Sequence, residues 1–165
     1  MRKSAVKNTV PSDQRTLPRK KALLSAVVCD VNGENESDCV IRDINARSAQ
    51  IVFSKPLPIG THVYLLDINN KAAHLARVVW GRSGRAGLVF IESHVIGLKL
   101  PPRLKFLWRL FLEAKLREVY RLVSTGVSID LALSTVGLTE EHLHQMSRYA
   151  RVEKRTEILL RLAMR

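Results

Sequence analysis

The chain has 165 residues, 46% of them apolar, which is enough for one ordinary domain or two small ones with a buried core and excludes a disordered tail protein. Lys and Arg number 27 against 15 Asp and Glu, and the resulting formal charge of +12 points to a polyanion or an anionic ligand. Two cysteines, Cys29 and Cys39, imply no exported disulfide framework, and residues 1–19 hold no apolar stretch long enough for a signal peptide, so the expected setting is a reducing cytoplasm.

The charge divides the chain into a basic arm (1–21), a neutral body (22–98) and a basic tail (99–165). The arm holds seven cations against Asp13 alone, the body seven of each sign, and the tail thirteen cations against seven acids. In the body, short runs of Val, Ile and Leu alternate with turn residues, which predicts strands over 22–30, 38–44, 48–53, 61–67, 73–80 and 86–91. Asn32-Gly33 suits the first turn, and further breaks fall at 56–60, Asn69-Asn70 and 81–84. Six short strands without an intervening helix fit a small antiparallel barrel or sandwich that shields its own edges.

Pro101-Pro102 mark the change to the tail, where residues 103–125 contain neither Gly nor Pro and should form a helix ending at Gly126. Its apolar residues cover most of the helical circumference, so it should be buried on two sides: against the barrel, and against either the following helices or a second copy of the chain. Within it, the most apolar window, 104–112, is broken by Lys105 and Arg109, far short of the roughly 20 apolar residues of a membrane span. Ser128 and Thr139 are good caps for a second helix over 128–136 and a third from 139 towards Met164. The expected fold is thus mainly β plus α, a six-stranded antiparallel barrel followed by a three-helix segment.

Anion-binding chemistry concentrates where the arm enters the body. Arg15 and Arg19, four apart with Pro18 between them, can offer two guanidinium forks to one multiply charged ligand; a solvated basic leader is the plain alternative. A hairpin follows, then Val40-Ile41-Arg42-Asp43-Ile44-Asn45-Ala46-Arg47-Ser48. This order resembles the PilZ family, whose domains carry R-x-x-x-R at the start and D-x-S-x-x-G at the end of a strand. The turn at 56–61 and the hairpin from Ala76-Arg77-Val78-Val79-Trp80 to Arg85-Ala86-Gly87-Leu88-Val89-Phe90 are similar as well, so the likeness covers about residues 14–92.

The resemblance implies a bacterial six-stranded PilZ-like barrel that binds cyclic di-GMP, with both motifs on one rim and no catalytic residues. Arg15 and Arg19 would clamp phosphates and guanine edges, Asp43 would accept from a guanine edge, Asn45 would bond ligand or backbone, and Ser48 would complete the site. Two positions depart from the pattern. Asn45 stands for Ser and keeps a donor and an acceptor. Ser48 stands for Gly, and if that position requires positive φ the added Cβ costs about 1 kcal/mol or more.

Residues 129–139 have the rhythm of a helix-turn-helix and resemble bacterial regulators over about twenty residues. Two other readings therefore stand beside the cyclic di-GMP receptor: a regulator that contacts DNA through 128–155, and a degenerate adaptor that binds only protein. The long helix over 103–125 is the expected surface for a protein partner or for self-association. His142 and His144 point to different helix faces and no metal motif occurs, so neither a metal nor a cofactor is expected. Cys29, Cys39, Trp80 and Trp108 are expected in the core.

Overall fold

The structure, a computed structural model, describes residues 20–97, 99–148 and 161. Arg15 and Arg19, and the stretch over which the third helix is expected to run on towards Met164, lie outside the described residues, apart from residue 161. Six antiparallel strands, β1 (Lys20–Asp30), β2 (Ser37–Ile44), β3 (Ser48–Phe53), β4 (His62–Asp67), β5 (Ala72–Arg82) and β6 (Arg85–Val95), close into a barrel in the order β1-β2-β3-β6-β5-β4. A short 3₁₀ turn (Pro102–Leu104) leads into three helices, α1 (Lys105–Ser124), α2 (Ile129–Val136) and α3 (Glu140–Ser147). The barrel followed by three helices matches the expected fold. Among the described residues, no helix is long and apolar enough to cross a membrane.

Strand alternation sorts the side chains into two cores. Ala26, Val28, Ile41, Ile51, Leu65, Val78 and Leu88 fill the barrel interior. Their neighbours Val27, Cys29, Tyr64, Leu66 and Ala73 face outwards and are buried against the helices. β1 and β4 therefore carry unbroken apolar runs where a half-exposed strand would alternate. Cys29 and Cys39 belong to opposite faces of this wall, and Cys39 pairs with Ala26, so the two thiols do not sit level on the first hairpin.

α1 is covered on two sides within the chain. One side meets the barrel, where the Phe106 ring stands edge-on to Tyr64 with centroids 5.6 Å apart. The other meets Ala132 and Leu133 of α2 and Leu143 and Met146 of α3, all buried. Leu107, Leu112 and Leu116 are fully enclosed, and each such side chain contributes roughly 1.5–3 kcal/mol by leaving water. A second copy of the chain is not needed to cover the girdle. Ser128 Oγ accepts from Leu131 N at the start of α2, Gly137 ends it in the left-handed region at φ 73°, and Thr139 N donates to His142 Nδ1 at 3.0 Å to cap α3.

The two tryptophans differ. Trp108 packs on Phe111 at 5.6 Å in the helical core. Trp80 does not join the core: a register shift between Val78 and Trp80 turns its indole outside the barrel, where it is 36% exposed.

Candidate functional site

The strand register assembles one rim of the barrel. Antiparallel pairing sets the start of β1 against the end of β2, with Lys20 opposite Ile44 and Lys21 opposite Asp43. The backbone that follows R-x-x-x-R thus runs directly beside Asp43, although some two dozen residues separate them along the chain. A bulge in β2 between Ile41 and Asp43 resets the alternation. Ile41 and Ile44 both turn inward, opposite Ile51 and Ala49, while Asp43 pairs with Gln50 on the outer face.

Asn45 and Ser48 bracket the two-residue turn that joins β2 to β3. Asn45 N donates to the Ser48 carbonyl at 2.9 Å, while Asn45 Oδ1 accepts from Arg47 N and Ser48 N at 2.8 Å each and from Ser48 Oγ at 3.2 Å. The side chain takes the Ser48 amide that the carbonyl of residue 45 accepts in an ordinary tight hairpin. Ser48 is buried, pairs with Val89 and is absent from the non-glycine residues with positive φ, which among the described residues are Asn35, Lys71 and Ser83. The condition under which a Cβ at 48 would be strained is therefore not met, since a strand torsion accepts Ser as readily as Gly. Arg47 is exposed, and its carbonyl accepts from Phe90 N at 2.8 Å, which ties the turn to β6.

From Asp43 a row of paired positions continues across the outer wall: Asp43 to Gln50, Gln50 to Gly87, and Gly87 to Trp80. The Trp80 indole lies over Gly87, and a Cβ at 87 would run into its Nε1 edge. Gly87 is needed for this close approach, its torsion being ordinary. The row offers a carboxylate, an amide with donor and acceptor, and an exposed aromatic plane. Behind it, the His74 ring stacks on Phe90 with centroids 4.1 Å apart and planes 6° apart, and His74 Nδ1 lies 2.7 Å from Ser93 Oγ. Burial lowers the His74 pKa, with the Asp67 charge opposing.

The structure thus brings Asp43, Asn45 and Ser48 together at one rim, while Arg15 and Arg19 lie outside the described residues. Gln50 and Trp80 were not expected at the site. The Gly at position 87 opposite an aromatic residue across a hairpin was the only sequence signal for the second. Among the described residues, no group of three or more His, Cys, Asp or Glu is arranged to hold a metal ion.

No protein-family model matches the chain. No curated protein matches it either. Among solved structures it is similar to the PilZ domain of CeSA from a cellulose-synthesizing bacterium, with a TM-score of 0.38 and 17% identity over 60% of this chain and 99% of that one.

Proposed function

We propose that the chain is a bacterial cytoplasmic receptor module that binds cyclic di-GMP at the rim carrying the 45–48 turn and relays binding through its helices to a partner. It works by binding and not by catalysis. The observation that carries this reading is the row from Lys21 and Asp43 to Trp80, which sets a carboxylate, an amide and an aromatic plane beside the exit of a doubly charged arginine arm. Guanine presents N–H donors that suit Asp43, and a π-face that suits Trp80. Its O6 and N7 acceptors and the ligand's two phosphates suit Arg15 and Arg19. In this reading Asn45 and Ser48 shape the turn that the ligand meets, with Asn45 holding the amides and Ser48 filling the position usually given to Gly.

A DNA contact through 128–155 is the weaker reading, because α3 opens with the exposed acids Glu140 and Glu141, which repel phosphates, and spends its apolar side on α1. Isothermal titration of the full chain with cyclic di-GMP, with GTP as control, tests the proposal. Saturable micromolar binding of the cyclic dinucleotide but not of GTP is expected; absence of heat with both removes the receptor reading and leaves a protein-binding adaptor.

A further inference from the structure

The opposite rim carries a second constellation. β5 and β6 are joined there by Ser83-Gly84, both in the left-handed region at φ 50° and 73°, and the last cross-strand pair before that turn sets Arg82 directly opposite Arg85. Like charges facing each other across a strand pair are destabilising. Neither arginine, nor the nearby Lys55, forms an ion pair with any described residue. All three line a cavity of about 280 Å³ with no carboxylate in its wall. The hairpin tip is fixed over it by Phe53 N, which donates to the Gly84 carbonyl at 3.0 Å.

A second cavity of about 230 Å³ adjoins the first and shares Phe53, Lys55, Pro56 and Leu57 with it. Its other walls include the apolar Val28, Pro58 and Val63. Its one carboxylate, Asp30, is engaged by the amides of Asn32 and Glu34 and by Asn35 Nδ2, all at 2.9 Å. A cationic chamber and an apolar one thus open on either side of the 56–57 wall.

We infer that this rim is a separate ligand site that takes a phosphate monoester bearing a short apolar tail, the phosphate between Arg82, Arg85 and Lys55 and the tail against Leu57, Pro58 and Val63. Two guanidinium forks and an ammonium suit a dianionic phosphate, and such a ligand removes the repulsion between the paired arginines. The length of β3, about 17 Å at roughly 3.3 Å per residue, separates this site from the 45–48 turn. Trp80 and Gly87, the end of the row from Asp43, pair two residues away from Arg82 and Arg85 along β5 and β6, so the site adjoins that row while offering a different set of groups.

The probe is octyl phosphate, kept below the concentration at which it forms micelles, titrated into the full chain with inorganic phosphate and octanol as head-only and tail-only controls. Octyl phosphate should bind saturably and at least tenfold more tightly than either control. The paired substitution Arg82→Gln and Arg85→Gln should weaken it at least tenfold with circular dichroism unchanged, whereas Arg15→Ala, at the other rim's arm, should leave octyl phosphate binding unchanged. Leu57→Ser should weaken octyl phosphate but not inorganic phosphate. Flotation with phosphatidic acid vesicles, against phosphatidylcholine alone, separates a lipid headgroup from a free phosphate ester as the source. Retention that the paired glutamines abolish assigns the lipid, and binding of the free ester without retention assigns the soluble ligand. Octyl phosphate binding that is absent at millimolar concentration, or that survives the paired glutamines, overturns the inference.

Discussion

Gly33, at the tip of the β1–β2 hairpin, lies directly against the Phe106 ring at the start of α1, so closely that a Cβ at 33 would collide with the ring. Its φ is 77°, which a side chain rarely adopts, so two separate requirements for glycine meet at one residue. Phe106 in turn stands on Tyr64 of β4, and this chain of contacts fixes the helices to the barrel at its far rim.

Gly33→Ala should lower stability by about 2 kcal/mol, from torsional strain and overpacking together. Combining it with Phe106→Ala removes the collision but leaves the torsion. The double variant should therefore be more stable than the sum of the single effects by about 1 kcal/mol in denaturant melts. Strict additivity would show that the ring and the glycine do not interact.

At the other rim, Asn45→Ala removes the acceptor shared by two turn amides and the Ser48 hydroxyl, and should cost about 1 kcal/mol of stability. Asn45→Asp keeps the acceptor and should stay near the parent. Ser48→Gly should not tighten cyclic di-GMP binding, because residue 48 is not at positive φ. It should instead cost roughly 0.5–1 kcal/mol in thermal melts through loss of backbone order in a strand.

The thiols supply a pH test. Burial pushes both Cys29 and Cys39 up to about 12, with the Asp30 charge adding for the first and Asp38 for the second. A thiol raised in the folded state contributes stability that is whole below its ordinary range near 9 and is lost as pH climbs towards 12, by up to about 1.4 kcal/mol per pH unit for each group. Urea melts across that window should show the decline, and a Cys29→Ala/Cys39→Ala variant should show a shallower one. In the native protein at mildly alkaline pH, neither thiol should react with a disulfide reagent within minutes, whereas both should do so in denaturant.

For the arm, Arg15→Ala and Arg19→Ala should each weaken cyclic di-GMP by ten- to a hundredfold, since a charge-assisted hydrogen bond contributes about 1.5–3 kcal/mol. The melting temperature of the free protein should not move. A fall in Tm equal to that of a core substitution would assign these arginines to folding.

Trp80 gives an optical readout. It is the exposed tryptophan, while Trp108 is packed on Phe111, so ligand stacking at the row should change the fluorescence of the parent chain and leave that of Trp80→Leu unchanged. An equal change in both proteins would remove Trp80 from the site.

Patterns of period and punctuation were enough to read the six strands and the start of each helix, with Ser128 and Thr139 as caps; β5 runs two residues and β6 four residues past the expected end because Ala72–Val95 is one long hairpin. What sequence spacing missed depends on bulges and on contacts between distant segments. The register shift at Val78 and Trp80 moves a tryptophan from the core to the surface, and nothing in Val78-Val79-Trp80 announces it. Asn45 reads as bonding either ligand or backbone, and only the fold shows which backbone groups it meets, because its turn partners, two backbone amides, have no signature of their own. Glu113 is 3% exposed in α1, where Arg109 Nη1 reaches its Oε1 at 2.8 Å; the four-residue spacing was visible, but its burial arises only when α1 docks on the barrel along the face that carries Phe106 to Tyr64 and Arg117 to Asp38.

Because successive residues of β1 belong to different cores, Val28 to the barrel lumen and Val27 to the helical layer, this strand is a partition between the two. Its first residues adjoin Asp43 and its last lead into the Gly33 tip beneath Phe106. Cutting the chain after residue 98 would strip one face of that partition of its cover, with Val27, Cys29, Tyr64 and Leu66 bared to water.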